Sequence, residues 1–453
     1  MRARPIAVGL LSFVILIVVG FVPTRPVLSA GQDPPAFLFT VAKQYEPLAW
    51  IRGADRFSSD AKIFIQDASG KHPLVPGLAA SGDPSVSLDG RNVLFAGKQS
   101  SQDSWQIWEV SLSSGELHRI TSCPEDCVRP FYLPGDHVVY AKKSRGRFVV
   151  EAVDRTDGKA VQLTWSSGNS LPTDVLRDGR ILFESTYPLG ADGSPELYTV
   201  YSDGSGVESY RCDHGPARHS GKQFASGDIV FAYRSGLGRF VSALAHEVRI
   251  PAPAGDYAGD VIESSTGDWL VTLREGKDPF QLMWWKPGTG APRLAAVEPN
   301  ANVAQPAFIA ERTVPKRHPS GLHDWPNANL LCLNAYTSKY KFASGSLHSV
   351  RLYTRDSEGT IKLLGTAPVE RDGSFFVQVP TEQPLQIELL DGSGKSLKRQ
   401  AGWFWMRRGE QRACVGCHAG PETAPENAVP MILLKSTTPA DMTGAVRSSA
   451  GGQ

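Results

Sequence analysis

The feature that most constrains this 453-residue chain is a pair of short sequence units that alternate along its first two thirds. The first unit is a glycine-centred turn followed by a short apolar strand, as in Leu88-Asp-Gly-Arg-Asn-Val-Leu-Phe95. Its glycines recur at roughly 45-residue intervals, which is the length of a four-stranded propeller blade. These glycines stand at positions 90, 135, 179, 227 and 267.

The second unit is a strand that runs into a glycine turn, and it falls between the copies of the first. Ile63 to Gly70 and Ile107 to Gly115 are examples, and a degenerate copy at Phe240 to Leu244 makes six. A blade cannot bury both of its faces without neighbours. We therefore predict an all-β chain that begins with a six-bladed β-propeller over residues 36–315. The Asp-Gly-Arg unit resembles the TolB-like propeller repeat of bacterial periplasmic proteins.

A different pattern begins after the Pro- and Gly-containing break at residues 314–321. Alternating apolar residues such as Phe375, Val377 and Val379 lie on one face of a strand, and Gly turns separate this strand from the next. We predict a small antiparallel β-sandwich over residues 325–400. Residues 437–453 are rich in Ser, Thr, Gly and Ala, which predicts a disordered tail.

The amino terminus has the pattern of an export signal. Arg2 and Arg4 precede an uncharged run from Ile6 to Val22, and small residues follow near Ala30. The run is long for a cleaved signal and slightly short for a membrane span. Residues 1–30 are thus predicted to be a signal peptide or an N-terminal membrane anchor, which places the body of the chain in the periplasm or outside the cell.

The charge balance excludes nucleic acid as a partner. The formal net charge is +1, from 47 basic and 46 acidic residues. Removal of residues 1–30 takes away three Arg and no acid, so 44 basic residues remain against 46 acidic ones, or about −2. Such a balance provides no basic surface for a phosphate backbone.

The sequence Cys414-Val-Gly-Cys417-His418 has the C-x-x-C-H spacing of a c-type haem attachment site. Thiols three residues apart on a turn reach two vinyl groups of one porphyrin, and the following His presents its imidazole to the iron. A redox Cys pair would require a βαβ setting, and a zinc site would require a second pair of ligands. The segment 401–436 is therefore predicted to bind one covalent haem c, with His418 as an axial iron ligand.

The iron ligand opposite His418 is left open by the sequence between another His, a Met and an open position. Met431 is one candidate, while Met406 and Met442 are nearby thioethers that suit core or tail positions better. The Cys212 to His219 segment is the other candidate, with Cys212 or His214 beside the haem. Three arginines near the motif either pair with haem propionates or form a solvated basic strand end, namely Arg407, Arg408 and Arg412.

The other cysteines need separate explanations. Cys123 and Cys127 are four residues apart in a loop, which favours a local disulfide. Cys212 and Cys332 pair with each other, lie buried as thiols or serve a site, and their spacing does not choose among these alternatives.

The order of these parts resembles the middle-domain family of the hydrazine synthase alpha subunit. The resemblance is carried by Gly373-Ser-Phe-Phe-Val-Gln-Val-Pro380, by Leu385 to Asp391 and above all by Gly409-Glu-Gln-Arg-Ala-Cys-Val-Gly-Cys-His418. The resemblance implies that in hydrazine-forming relatives this haem works with further haem-bearing domains and that a Tyr shortly after the motif contacts its iron. Here the motif is single, no Tyr follows it and Glu422 stands near that position, so hydrazine synthesis is not carried over.

The sequence therefore predicts an exported monohaem cytochrome that exchanges electrons with a redox partner protein. One alternative is a haem enzyme that acts on peroxide or a nitrogen oxide through an open distal side in the propeller funnel. The other is a binding scaffold in which the haem is only structural.

Overall fold

The computed structural model describes residues 35–186, 194–211, 217–243, 245–356, 358–400, 402–416 and 427–444. Nearly all of their regular structure is β-strand, which confirms the predicted all-β class. No helix in this part of the chain is long and apolar enough to cross a membrane. The predicted export segment over residues 1–30 lies outside the described residues.

Between Phe37 and Phe308 the described residues form six antiparallel sheets of four strands each. The strands are β1 (Phe37–Ala42), β2 (Lys62–Asp67), β3 (Gly70–Pro73), β4 (Ala80–Val86), β5 (Asn92–Lys98), β6 (Gln106–Ser111), β7 (Leu117–Arg119), β8 (Cys127–Leu133), β9 (His137–Ser144), β10 (Arg147–Asp154), β11 (Ala160–Gln162), β12 (Ser170–Val175), β13 (Ile181–Thr186), β14 (Pro195–Val200), β15 (Glu208–Ser209), β16 (His219–Gln223), β17 (Ile229–Tyr233), β18 (Gly236–Phe240), β19 (Val248–Ile250), β20 (Asp256–Glu263), β21 (Trp269–Arg274), β22 (Gln281–Lys286), β23 (Thr289–Ala296) and β24 (Asn302–Phe308).

Five sheets use four consecutive strands, and the sixth joins both ends of this region in the order β24-β1-β2-β3. The first strand of each sheet contacts the first strand of the next, in the cyclic order β4, β8, β12, β16, β20, β24 and back to β4. The sheets therefore close into a ring, which is the arrangement of a β-propeller. The last strand closes the ring by pairing with the first, with Val41 opposite Val303.

The two predicted repeat units are the hairpin turns of these sheets. The glycines of the first unit join the first and second strands of five sheets, and all five have φ between +74° and +97°. The second unit joins the third and fourth strands, for example at Gly70 and Gly115. A residue with a Cβ is strained at such φ values, so the recurrence of glycine at these positions has a direct steric cause.

The connection between β1 and β2, residues 43–61, contributes aromatic side chains to the centre of the ring. It contains a 3-10 turn at Trp50–Arg52 and buries Trp50, Tyr45 and Phe57 in one apolar cluster. That cluster also contains Ala80 and Val128 from the first strands of two sheets. The connection therefore ties successive sheets together at the ring's centre.

The predicted local disulfide between Cys123 and Cys127 is present. Cys127 is the fully buried first residue of β8. The side chain of Gln106 holds Cys123, because its Nε2 donates to the Cys123 carbonyl at 2.9 Å and its Oε1 accepts from the Cys123 N–H at 2.8 Å. The loop that enters the third sheet is thus fixed both covalently and by hydrogen bonds.

The remaining strands form two further four-stranded sheets around one apolar core. They are β25 (Ala328–Cys332), β26 (Ser349–Arg355), β27 (Ile361–Pro368), β28 (Phe375–Val379), β29 (Leu385–Leu390), β30 (Ser396–Arg399), β31 (Gln411–Cys414) and β32 (Ala440–Asp441). The sheet orders are β31-β25-β28-β32 and β27-β26-β29-β30. Leu330 and Val377 of one sheet share the core with Leu352 and Leu389 of the other, as in a sandwich.

The sandwich extends past its predicted end at residue 400. The segment predicted to bind haem supplies β31, which pairs parallel with β25. The segment predicted to be a disordered tail supplies β32, which pairs parallel with β28 and aligns Ala440 with Val377. Met442 is 1% exposed and fills the core beside Gly365, so apolar burial outweighs the polar composition around it. Residues 445–453 lie outside the described residues.

Candidate functional site

Cys414 is the last residue of β31 and aligns with Cys332 at the end of β25. The carbonyl of Cys414 accepts from the Leu333 N–H at 2.9 Å, and the carbonyl of Val415 accepts from the Asn334 N–H at 3.2 Å. Cys414 is partly buried and packs against the apolar core of the sandwich. The backbone ladder thus fixes where the first thiol of the C-x-x-C-H motif emerges.

Gly416 lies against the turn formed by residues 334–337. A Cβ at this position would clash with the backbone carbonyls of Thr337 and Asn334, so the turn admits only glycine without a shift of the backbone. Cys417 and His418, which follow, lie outside the described residues. Their predicted roles as the second thioether and the axial iron ligand stay predictions.

The surroundings of Cys414 disfavour ionisation of its thiol. Burial raises its pKa above the usual range, and the nearby carboxylates of Glu410 and Glu208 raise it further, while Arg412 opposes them. Glu208 belongs to β15 of the propeller, so the charges felt by Cys414 come from both parts of the molecule. The thiol is held in its protonated form.

Glu410 is a buried acceptor that joins β31 to the propeller. Its Oε1 accepts from the Gly206 N–H at 3.1 Å and from Arg412 Nη2 at 2.6 Å. Its Oε2 accepts from the Arg407 N–H at 2.7 Å. Glu410 is 5% exposed, so all three donors are needed to offset the loss of its hydration. The Gly-Glu-x-Arg part of the motif therefore has a structural role.

Trp405 and Arg407 of this segment also contact the propeller. Trp405 is 3% exposed and lies among residues of the third and fourth sheets, including Phe183. Arg407 Nη1 pairs with Glu382 at 2.7 Å, and its guanidinium lies 4.9 Å from the centre of the Trp165 ring. Arg407 and Arg412 are thus already paired with carboxylates, whereas Arg408 is exposed.

Met431 begins the short helix α1 (Met431–Lys435), close to the turn that holds Gly416. The N–H of Met431 donates to Asp372 Oδ2 at 2.7 Å. The neighbouring Gly373 carbonyl accepts from the Ala335 N–H at 2.9 Å. None of the five residues of α1 is buried, and Tyr336 is also only partly buried. The apolar residues of α1 and the ring of Tyr336 are thus only partly covered by the described residues.

The other two thioethers near the motif are core residues. Met406 is 0% exposed and Met442 is 1% exposed, and both belong to the apolar core of the sandwich. Packing in the core accounts for both side chains. Met431 therefore remains the thioether candidate.

The propeller segment that follows β15 is described only at its ends. Cys212 and His214 lie outside the described residues, while Tyr210 and Arg211 before them are buried. His219, which the sequence grouped with them, begins β16 and is 2% exposed, with Nδ1 at 3.3 Å from Ser220 Oγ. Burial lowers the pKa of His219 to about 4, so this imidazole is neutral at physiological pH.

A buried network of charged side chains lies among the first strands of the sheets, and sequence reasoning missed it. Arg56, from the connection between β1 and β2, donates to Asp83 at 3.4 Å and to Asp260 at 3.1 Å. Arg129 donates to Glu184 at 3.2 Å and to the other oxygen of Asp260 at 3.3 Å. Burial would raise the pKa of Asp260, but Arg129 and Arg56 hold it below its usual range.

The network depends on an irregularity that recurs in the first strands. Five of these strands shift register at a residue with φ between +52° and +59°. These residues are Asp83, Arg129, Ser220, Asp260 and Gln305. A sequence signal was present, because three of them precede a proline inside an apolar strand, where proline is confined to bulges. Among the described residues, no group of three or more His, Cys, Asp or Glu side chains is arranged to hold a metal ion.

The fold and the site define an all-β propeller protein with a second domain in which Cys414, the first residue of the C-x-x-C-H sequence, ends a strand. Residues 336–419 match the family described as hydrazine synthase alpha subunit middle domain. The predicted resemblance to this family is thereby confirmed. No curated protein matches the chain.

Two solved structures are similar to this chain. Hydrazine synthase of Kuenenia stuttgartiensis has a TM-score of 0.77 and 15% sequence identity, and the match covers 89% of this chain and 72% of that one. At this identity the likeness to hydrazine synthase concerns the fold alone. TolB of Acinetobacter baumannii has a TM-score of 0.42 and 15% identity, over 63% of this chain and 68% of that one.

Proposed function

We propose that the chain is an exported monohaem c-type cytochrome that exchanges electrons with a partner protein. In this proposal the six sheets are the blades of a six-bladed propeller, Cys414 and Cys417 attach the haem, and His418 binds its iron. The haem would supply one-electron exchange, with a potential set by the axial ligands and by burial.

The observation that carries the proposal is the position of Cys414 at the end of a strand that is anchored on both sides. The β25 ladder fixes its backbone, and Glu410 fixes the same strand against the propeller. A covalent cofactor attached there would be held against the body of the protein at a defined distance and orientation. Electron exchange benefits from such rigidity, because little rearrangement accompanies the change of charge.

The surroundings of Cys414 fit a porphyrin. Tyr336 belongs to the turn that holds Gly416 and is partly buried, and none of the four apolar residues of α1 is buried. A porphyrin face placed on them would gain burial free energy of about 25 cal/mol per Å² of apolar surface covered. The protonated thiol of Cys414 would stay available for thioether formation with a haem vinyl group.

For the side of the iron opposite His418 we propose Met431 or the propeller segment that holds Cys212 and His214. Met431 is supported by its hydrogen bond to Asp372, which places it near the Gly416 turn. The propeller segment is supported by Glu208, which influences the pKa of Cys414 and precedes Cys212 by only four residues.

We also propose that the chain works in the periplasm or outside the cell, because residues 1–30 have the pattern of an export segment. If this segment stays attached, it would tether the protein to the membrane.

The test is to export the protein from cells with a c-type maturation system and to extract it with acidified acetone. Haem should stay with the polypeptide in the wild type and in Cys332→Ser, which keeps both motif thiols. Attachment should weaken or disappear in Cys414→Ser and Cys417→Ser. Release of all haem from the wild type into the organic phase contradicts the proposal.

The optical spectrum separates electron transfer from catalysis. A low-spin spectrum in both oxidation states supports the electron carrier. A high-spin spectrum that changes with CO, NO or peroxide would indicate an open iron and would support an enzyme that acts on a small molecule.

A further inference from the structure

A basic face lies next to the turn that holds Gly416. It consists of the loop 337–346, which continues from this turn, and of residues 395–398 in the second sheet of the sandwich. The two segments meet where the Lys398 ammonium lies 3.7 Å from the centre of the Tyr340 ring. Together they contain four lysines and no acidic residue. They therefore form one surface of positive charge, which we call the basic face.

The loop of the basic face is fixed at its base and exposed at its tip. At the base, the Leu347 N–H donates to the Tyr336 hydroxyl at 3.1 Å, and Phe342 packs against the core of the sandwich. At the tip, Lys341 is exposed and Tyr340 is 44% exposed. The loop thus presents a charged side chain and an aromatic ring to solvent on a supported backbone.

The carboxylates closest to the basic face are held by partners within the fold. Glu370, which is 9% exposed, pairs with Lys435 at 2.5 Å. Asp391 Oδ1 accepts from the backbone N–H groups of Ser393 and Lys395, both at 2.9 Å. These two carboxylates are used to hold α1 and a tight turn in place. The face therefore presents a net positive charge to an approaching molecule.

The charge of the chain is divided unevenly between its two domains. Residues 328–453 contain 17 basic and 11 acidic residues, whereas residues 31–327 contain 30 basic and 35 acidic ones. A separation of charge of this kind turns an anionic protein towards the sandwich during a diffusional encounter. The basic face lies on that domain, beside the C-x-x-C-H sequence. Steering would therefore bring the partner to the side of the molecule where the haem is proposed to be attached.

We infer that the basic face is the docking surface for an acidic redox protein. Its use in electron exchange rests on the proposed cytochrome function, whereas the contact itself does not require haem. The lysines attract the carboxylates of the partner over long range and speed the encounter, and the Tyr340 ring adds a small apolar contact. An interface of this size is weak and dissociates quickly, which suits a carrier that exchanges partners.

An anionic membrane is the other surface that lysines beside an aromatic ring could bind. Lasting contact with lipid requires an apolar face that enters the boundary between headgroups and acyl chains. Phe342 packs against the sandwich core and does not contribute to such a face. The acidic protein is therefore the partner that the structure favours.

The experiment uses full-length matured protein and a plant-type ferredoxin, which is a small acidic iron–sulfur carrier, as the probe. A carbodiimide condenses ferredoxin carboxylates with lysine amines and leaves as a urea, so amide bonds form where the two proteins touch. Mass spectrometry of the digested product locates these bonds. They should concentrate on Lys341, Lys395 and Lys398.

Charge reversal provides the second measurement. In a Lys341→Glu/Lys398→Glu variant, the cross-linked yield and the rate of electron transfer from reduced ferredoxin should both fall by about tenfold at low ionic strength. The corresponding double Arg variant keeps the charge and should keep the rate, which excludes a folding defect at these positions. Lys286→Glu, at an exposed position at the end of β22, should match the wild type. The wild-type rate should fall as salt is added.

Three results would overturn the inference. The first is a set of cross-links that falls mainly on the propeller. The second is a wild-type rate that rises with salt or is unchanged by the Glu double variant. The third is binding to phosphatidylglycerol vesicles through the same lysines without cross-links to ferredoxin, which would assign the face to an anionic membrane.

Failure of the proposed function would look different. The cross-linking is repeated on haem-free chain that is exported from cells without a c-type maturation system, and the same lysines should be linked. If the matured protein carries no covalent haem but these cross-links form, the docking surface stands and the cytochrome proposal fails. If haem is attached and the cross-links do not form, only the docking surface fails.

Discussion

The carboxylate of Glu410 accepts a hydrogen bond from the backbone N–H of Gly206 at 3.1 Å. It also forms an ion pair with Arg412, whose Nη2 donates to it at 2.6 Å. Glu410 comes four residues before Cys414, and Gly206 comes two residues before the edge strand β15. One buried side chain thus sets the distance between the attachment strand and the propeller.

Glu410→Ala should destabilise the protein by about 2–4 kcal/mol, because the Arg412 charge and two backbone N–H groups lose their acceptor in a buried setting. Urea unfolding measures the loss. Glu311→Ala serves as the control, since this exposed residue should change stability by less than about 0.5 kcal/mol. Equal effects of the two substitutions would refute the anchoring role.

Arg56→Ala should be more costly, at about 3–5 kcal/mol, because it removes the guanidinium that pairs with the buried carboxylates of both Asp83 and Asp260 in the centre of the ring. The matched control is Arg52→Ala in the same connection, where the side chain is exposed. Thermal unfolding of both variants measures the difference in stability between them. A stable Arg56→Ala protein would mean that the network adds little to the folding free energy.

His219 should make the protein less stable in mild acid. Its pKa is lowered from 6.5 to about 4 in the folded state, so between these values the unfolded chain binds a proton that the folded chain does not. Stability is therefore complete above about pH 6.5 and falls towards pH 4, by roughly 3 kcal/mol at 1.36 kcal/mol per pKa unit.

Urea midpoints at pH 7.5, 5.5 and 4.5 test this dependence. His219→Gln should remove most of the slope across that window, and His118→Gln, at an exposed position, should keep it. An unchanged slope in His219→Gln would assign the acid sensitivity to other groups.

Met431→Ala should shift the midpoint potential and the optical spectrum of matured protein if this thioether binds the iron. Leu434→Ala is the control, because it lies in the same helix and is 72% exposed. His214→Ala tests the propeller segment in the same way. If both Met431→Ala and His214→Ala match the wild type in spectrum, potential and CO binding, the iron has no ligand from either place.

The sequence was informative where steric rules recur and uninformative where contacts are distant in the chain. The turn glycines predicted the sheets, because a positive φ disfavours most other residues at these positions. The pairing of β25 with β31 was not predictable, since Ala328 and Gln411 belong to segments that no local pattern connects. The same holds for Met442, whose burial depends on a two-residue strand.

The sequence predicted the chemistry of the candidate site but not the contacts that hold its strand in place. The spacing of Cys414, Cys417 and His418 is a local signal, so it is visible in the sequence alone. The partners of Glu410 and the alignment of Cys332 with Cys414 arise only when distant segments meet. The sequence contains one weak signal for the central network, because Asp83, Arg129 and Gln305 each precede a proline. This signal can be interpreted only once the strands are known to bulge at these residues.

The pairing of β1 with β24 imposes an order on folding during synthesis. Phe37–Ala42 leaves the ribosome among the first residues of the ring, but its partner Asn302–Phe308 follows some 260 residues later. At a synthesis rate of 5–20 residues per second, the edge of the first strand stays unpaired for roughly 13–50 s. That strand contains Leu38 and Phe39, which are fully buried in the folded protein. The edge of β1 that pairs with β24 therefore stays open until the last strand of the ring has been synthesised.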